Sequence, residues 1–113
     1  MNDLINFYRV KDLEKTRQFY SEVLKLPLYK DQGKCLIFDT YYGKLGFCSH
    51  FPEEISQSSC ITFVYDSVES VDEMYQTLSA YAEHAPIENT VFRIYHFFIT
   101  DPNGLKLEFQ HFM

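Results

Sequence analysis

The chain has 113 residues, 46% of them hydrophobic and 23% charged, which suits one compact domain with a real core. Its net charge of −6 leaves no Lys/Arg stripe to neutralise phosphates, which excludes nucleic acid as a partner. No apolar run is long enough to span a bilayer, and Met1-Asn2-Asp3 opens no basic leader, so the chain is expected to be cytoplasmic with no membrane partner.

In chain order, residues 4–10 (LINFYRV) read as a strand. Asp12 is placed to N-cap a helix running to about Leu26, with Leu13, Thr16, Phe19, Tyr20, Val23 and Leu24 as its apolar stripe and Pro27 as its stop. Three short strands follow: Leu28–Lys30, Lys34–Thr40 after the turn Asp31-Gln32-Gly33, and Lys44–Ser49 after Tyr42-Gly43. Residues 51–59 are polar and carry Pro52, which marks a connector. The order then recurs. Cys60–Tyr65 is a strand, and Ser70-Val71-Asp72-Glu73 fits a capping box opening a helix with Val71, Met74, Tyr75, Leu78, Tyr81 and Ala82 inward. Further strands lie near Pro86–Glu88, Val91–Thr100 and Leu105–Phe112. At an offset of 55, Ile5 falls on Cys60 and Tyr20 on Tyr75. Two βαβββ modules, residues 4–50 and 60–113, are therefore expected in a single α+β domain.

The turn Asp101-Pro102-Asn103-Gly104 sits just before the last strand. Asp accepts from the backbone ahead, Pro presets φ, and Asn-Gly tolerates positive φ. Beyond it Leu105, Leu107 and Phe109 alternate with Lys106, Glu108 and Gln110, so Glu108 heads a polar face that meets either water or a ligand. The three cysteines, Cys35, Cys48 and Cys60, are odd in number and show no CxxC, and they read as free thiols in a reducing compartment.

The stretches "RVKDLEKTRQFYSEVLKLPL" (Arg9 to Leu28), "CITFVYDSVESVDEMYQTL" (Cys60 to Leu78) and "ITDPNGLKLEF" (Ile99 to Phe109) resemble the vicinal oxygen chelate superfamily. That group includes glyoxalase I, bleomycin resistance proteins and extradiol dioxygenases. The resemblance implies curled mixed sheets around a cleft, with four strand positions holding a divalent metal in metal-using members. Carried over, those positions are Ile5, Lys44 (to within a residue or two), Cys60 and Glu108. Only Glu108 matches: Ile cannot ligate and Lys brings a cation to a cation. No cofactor is therefore expected at the family site, with a divalent metal at a rearranged site, supplied by His50, His84, His96 or His111, as the alternative.

Two functions stand side by side. One is a metal-free cleft that binds or sequesters a small organic molecule through Phe7, Arg9, Lys44, Cys60, Thr62, Lys106, Glu108 and Gln110. The other is a glyoxalase-like lyase or isomerase with Glu108 as general base. Glu108 and Lys44 could instead pair with one another as an internal ion pair. By resemblance, Arg9 is a carboxylate anchor; otherwise it pairs with an acid at the rim. Phe7, Tyr41, Tyr42, Phe47 and Phe98 are either ring-stacking surfaces or core. A homodimer is expected, because the short edge strands need cover. Strand alternation places Ile5, Phe7, Arg9, Cys60, Thr62, Lys106, Glu108 and Gln110 opposite the helix-facing Tyr8, Val10, Ile61, Phe63, Leu107 and Phe109.

Overall fold

A computed structural model describes residues 1–50 and 59–113. The connector expected at 51–59 therefore falls, but for Ser59, outside the described residues. The chain divides into two units, Met1–Ile55 and Ser56–Met113.

In the first unit β1 (Ile5–Arg9) leads through α1 (Leu13–Gln18) to β2 (Leu28–Asp31), β3 (Cys35–Asp39) and β4 (Lys44–Cys48). The sheet is open and mixed, in the order β1-β4-β3-β2, with β1 parallel to β4 and the other pairs antiparallel. Asp12 caps α1 by accepting from the Lys15 amide at 3.0 Å. The helix is shorter than its apolar stripe suggests. It gives way to a π-helical turn, Phe19–Val23, and Lys25 then adopts φ +57 just ahead of Pro27. The wide turn carries both Phe19 and Tyr20 into the core. Tyr20 stands 4.4 Å from Phe47 and 5.7 Å from Phe38, ring centre to ring centre. Phe47 is thus a helix-facing core residue, the second of the two roles that the sequence left open to it. Its register partner Tyr8 stacks on it.

The second unit repeats the plan: β5 (Cys60–Val64), α2 (Val68–Leu78), a 3₁₀ turn (Ser79–Tyr81), β6 (Ile87–Asn89), β7 (Ile94–Thr100) and β8 (Lys106–Phe112), with the sheet order β5-β8-β7-β6. The helix starts three residues earlier than the capping-box reading. Ser67, in extended backbone, is the N-cap and accepts from the Ser70 amide at 3.1 Å, so Ser70 lies inside the first turn. Tyr81, expected inward, is exposed because the 3₁₀ turn tightens the helix end and rotates it out. β7 begins at Ile94 rather than Val91. Asn89 accepts from the amides of Val91 and Phe92, and Arg93 sits at φ +57, so residues 90–93 form a turn.

Under α2 the core is a stack of rings. Phe109 lies 5.1 Å from Phe63 and 5.2 Å from Phe97, and Tyr75 meets Phe97 edge-on. Val71, Leu78, Ile99, Leu105 and Leu107 complete it with no exposed surface. Tyr95 ties sheet to helix by donating to Asp72 at 2.6 Å, and that carboxylate pushes the phenol up to about 12.

Three free thiols were expected, and this is corrected. Cys35 and Cys48 sit directly opposite one another on β3 and β4, with Cα atoms 4.1 Å apart, and form a disulfide; Cys60 remains free. The two lie 13 positions apart in sequence, and only the hairpin register brings them together.

Candidate functional site

The site grows out of the turn before β8. Asp101 is buried, and one of its carboxylate oxygens accepts from the amides of Asn103 and Leu105, each at 2.8 Å. Gly104 follows at φ +85, a conformation that glycine adopts without strain. The turn fixes the β7/β8 register, placing Phe98 beside Glu108 and His96 beside Gln110. On the other side β5 runs parallel, setting Cys60 beside Lys106 and Thr62 beside Glu108. All of these point away from the ring stack under α2, because strand alternation sends successive side chains to opposite faces.

On that face Glu108 is held at both oxygens. Oε1 accepts from Thr62 Oγ1 at 2.8 Å, and Oε2 lies 2.7 Å from His96 Nδ1. The side chains of His96 and Glu108 are 8% and 12% exposed, so this is a largely desolvated pair. His84, beyond the 3₁₀ turn, brings its ring 6.2 Å from His96 and 6.1 Å from Phe98. Lys106 lays its ammonium 4.6 Å over the Phe98 ring and 3.7 Å from Glu83. Cys60 is exposed as a residue. Even so, partial desolvation of its sulfur pushes the thiol up, Glu108 and Glu83 add to this, and the Thr62 hydrogen bond opposes it. Gln110 is buried on the same face. His111 turns elsewhere, bonding the Tyr65 carbonyl at 2.9 Å.

The first sheet shows the same geometry with different chemistry. Lys44 lies beside Ile5 as Lys106 lies beside Cys60. Its ammonium bonds Asp3, lies 4.0 Å from Asp39 and 4.4 Å from the Tyr29 ring centre, and is pushed up chiefly by Asp3. Lys44 and Glu108 therefore each have partners within their own unit. The register also identifies the counterpart of Glu108. Glu108 pairs with Thr62, Thr62 corresponds to Phe7, and Phe7 pairs with Gly46. A Cβ on Gly46 would lie 2.3 Å from the Phe7 ring, so glycine is what lets that ring cross the strand. Arg9 is exposed on the same face of β1, beside Cys48.

A divalent cation asks for three or more donors. These positions offer a hydrocarbon at Ile5, a paired ammonium at Lys44, no side chain at Gly46, and only two donors, the Cys60 thiol and the Glu108 carboxylate. That set does not fit the metal. Among the described residues, three potential ligands converge elsewhere: Cys35, Cys48 and His50 lie within 4.8 Å of one another.

A family model described as Glyoxalase/Bleomycin resistance protein/Dioxygenase superfamily matches residues 4–109. Among solved structures, a glyoxalase/bleomycin resistance protein/dioxygenase from Nocardioides superimposes with a TM-score of 0.85 at 16% identity, covering 100% of this chain and 84% of that one. A family enzyme from Burkholderia phytofirmans PsJN gives 0.83 at 18% identity, over 96% and 97% of the two chains. Lactoylglutathione lyase from Agrobacterium tumefaciens gives 0.78 at 20%, over 96% and 91%. No curated protein matches the chain.

Proposed function

We propose, from the premise that this chain belongs to the Glyoxalase/Bleomycin resistance protein/Dioxygenase superfamily, that it binds a small organic molecule without the family's metal. The observation that carries this reading is Glu108. Its two oxygens meet Thr62 and His96, so the carboxylate is oriented by protein donors rather than left to a cation. A carboxylate oxygen has lone pairs to spare, and Glu108 can still accept from a ligand's N–H or O–H. Phe98 and His84 offer ring faces and edges beside it. The ring faces favour a planar ligand, and the net charge of −6 favours one that brings positive charge.

Benzamidine is a suitable probe, because its amidinium matches a carboxylate and its ring can stack. Titrated into 15N-labelled protein, it should shift the amides around Thr62, His96, Phe98 and Glu108, and Glu108→Gln should abolish those shifts. Benzoate, which carries the opposite charge, should be the weaker ligand at this face. No localised shift with either probe would sink the binding reading. The homodimer reading rests on the short strands that end each open sheet, β1 and β2 in the first and β5 and β6 in the second. Light scattering should return twice the 13.4 kDa chain mass at micromolar concentration, and a monomer throughout would remove the pairing.

One observation favours a second reading, a lyase or isomerase. A carboxylate that fixes an imidazole through Nδ1 directs the Nε2 as a general base, and Glu108 and His96 have that relation at 2.7 Å. Here His96 rather than Glu108 would take the proton. Turnover of lactoylglutathione by the wild type, lost in His96→Gln, would establish it.

A further inference from the structure

On the first sheet, Cys35 and Cys48 form a directly opposed pair on antiparallel strands, and His50 follows two residues past the end of β4. The His50 Nδ1 lies 3.8 Å from Cys35 Sγ. Cys48 is buried, Cys35 half-buried and His50 exposed, so the cluster meets solvent at its imidazole edge. The hairpin backbone holds the strands in place, with the Ser49 amide donating to the Lys34 carbonyl at 2.9 Å and the Gln32 amide to the Cys35 carbonyl at 2.8 Å. The two sulfurs therefore stay neighbours when their bond is broken. Two thiolates from paired strands and an imidazole two residues past β4 form a donor set suited to a thiophilic d10 cation.

We infer that Cys35, Cys48 and His50 form a redox-gated site for Zn2+, closed as the disulfide and opened by reduction. In the opening step two molecules of a monothiol of the glutathione class supply two electrons and two protons. The Cys35–Cys48 bond breaks, two thiols form, and the reductant leaves as its own disulfide. The cation then displaces both thiol protons and binds the two sulfurs and a ring nitrogen, leaving its fourth position to solvent or an exogenous donor. This site draws on no residue of the face around Glu108.

The experiment uses the full chain, either oxidised or reduced with tris(2-carboxyethyl)phosphine and then freed of reductant. Each form is titrated with Co2+, read by thiolate-to-cobalt charge-transfer absorption, and with Zn2+ against a chromophoric chelator. The reduced protein should bind one equivalent and the oxidised protein none. Cys35→Ser should abolish binding, and Cys60→Ser should leave it unchanged. His50 is exposed and its replacement leaves the core intact, so His50→Ala should fold and bind at least about tenfold more weakly. Equal binding by both redox forms, no binding by the reduced form, or binding that survives Cys35→Ser would each overturn the inference.

Discussion

Phe109→Ala should lower the unfolding free energy by about 3–5 kcal/mol, the cost of deleting a large ring from a core that cannot collapse around the gap. Phe109 is 1% exposed and has Phe63 and Phe97 stacked against it at 5.1 and 5.2 Å, with a third ring, Tyr65, at 6.3 Å. Removing it leaves those rings without partner atoms, and β5, β7 and β8 share the cavity. Phe109→Leu, which keeps much of the volume, should cost less than about 2 kcal/mol. Urea unfolding followed by far-ultraviolet circular dichroism would measure both. A loss below about 1 kcal/mol for the alanine variant would mean that the stack is not what holds the second sheet to α2.

Asp101→Ala should cost about 2–4 kcal/mol, by leaving the amides of Asn103 and Leu105 without their acceptor in a buried turn. It should also disturb function. Every residue of β8 takes its register from this turn, and a shift of one residue would exchange Glu108 for Leu107 or Phe109 on the face that carries Thr62 and His96. Asp101→Asn keeps an acceptor oxygen and should retain most of the stability. Parallel unfolding curves for the two variants, with the benzamidine titration repeated on each, would measure both effects. Equal losses for Ala and Asn would show that charge matters here rather than hydrogen-bond geometry.

Most of the architecture was legible because it follows from local rules. Period-two alternation put Leu107 and Phe109 opposite Glu108, and the Asp-Pro-Asn-Gly turn announced its own chemistry. The errors arose where the deciding partner was distant or the signal was shared. The Ser70-x-x-Glu73 pattern marks Ser70 as the cap in sequence, and the Ser70 amide's bond to the Ser67 hydroxyl moves the cap three residues earlier. The Cys35–Cys48 bond depends on hairpin register, which spacing does not reveal. The duplication itself was legible, but the alignment of its closing strands was not. Ile5 and Cys60 are offset by 55, yet Lys44 and Lys106 are offset by 62, so the two lysines over aromatic rings do not align in sequence. His96 was missed as the partner of Glu108 although the signal was present. Folding β7 and β8 back around the turn pairs residue 98 with 108, which makes 96 a diagonal neighbour of Glu108.

The most direct measurement of the central claim is the metal content of the oxidised protein, purified from cells grown with added zinc and nickel. Oxidation keeps Cys35 and Cys48 bonded to each other, which takes their cluster out of the measurement. A thiol titration should then find one reactive cysteine, Cys60. The expected result is well below about 0.1 metal ion per chain, since Ile5, Lys44 and Gly46 offer no donor and Cys60 and Glu108 alone fall short of the three that a divalent cation asks for. Near-unit occupancy that disappears in Glu108→Gln would contradict it.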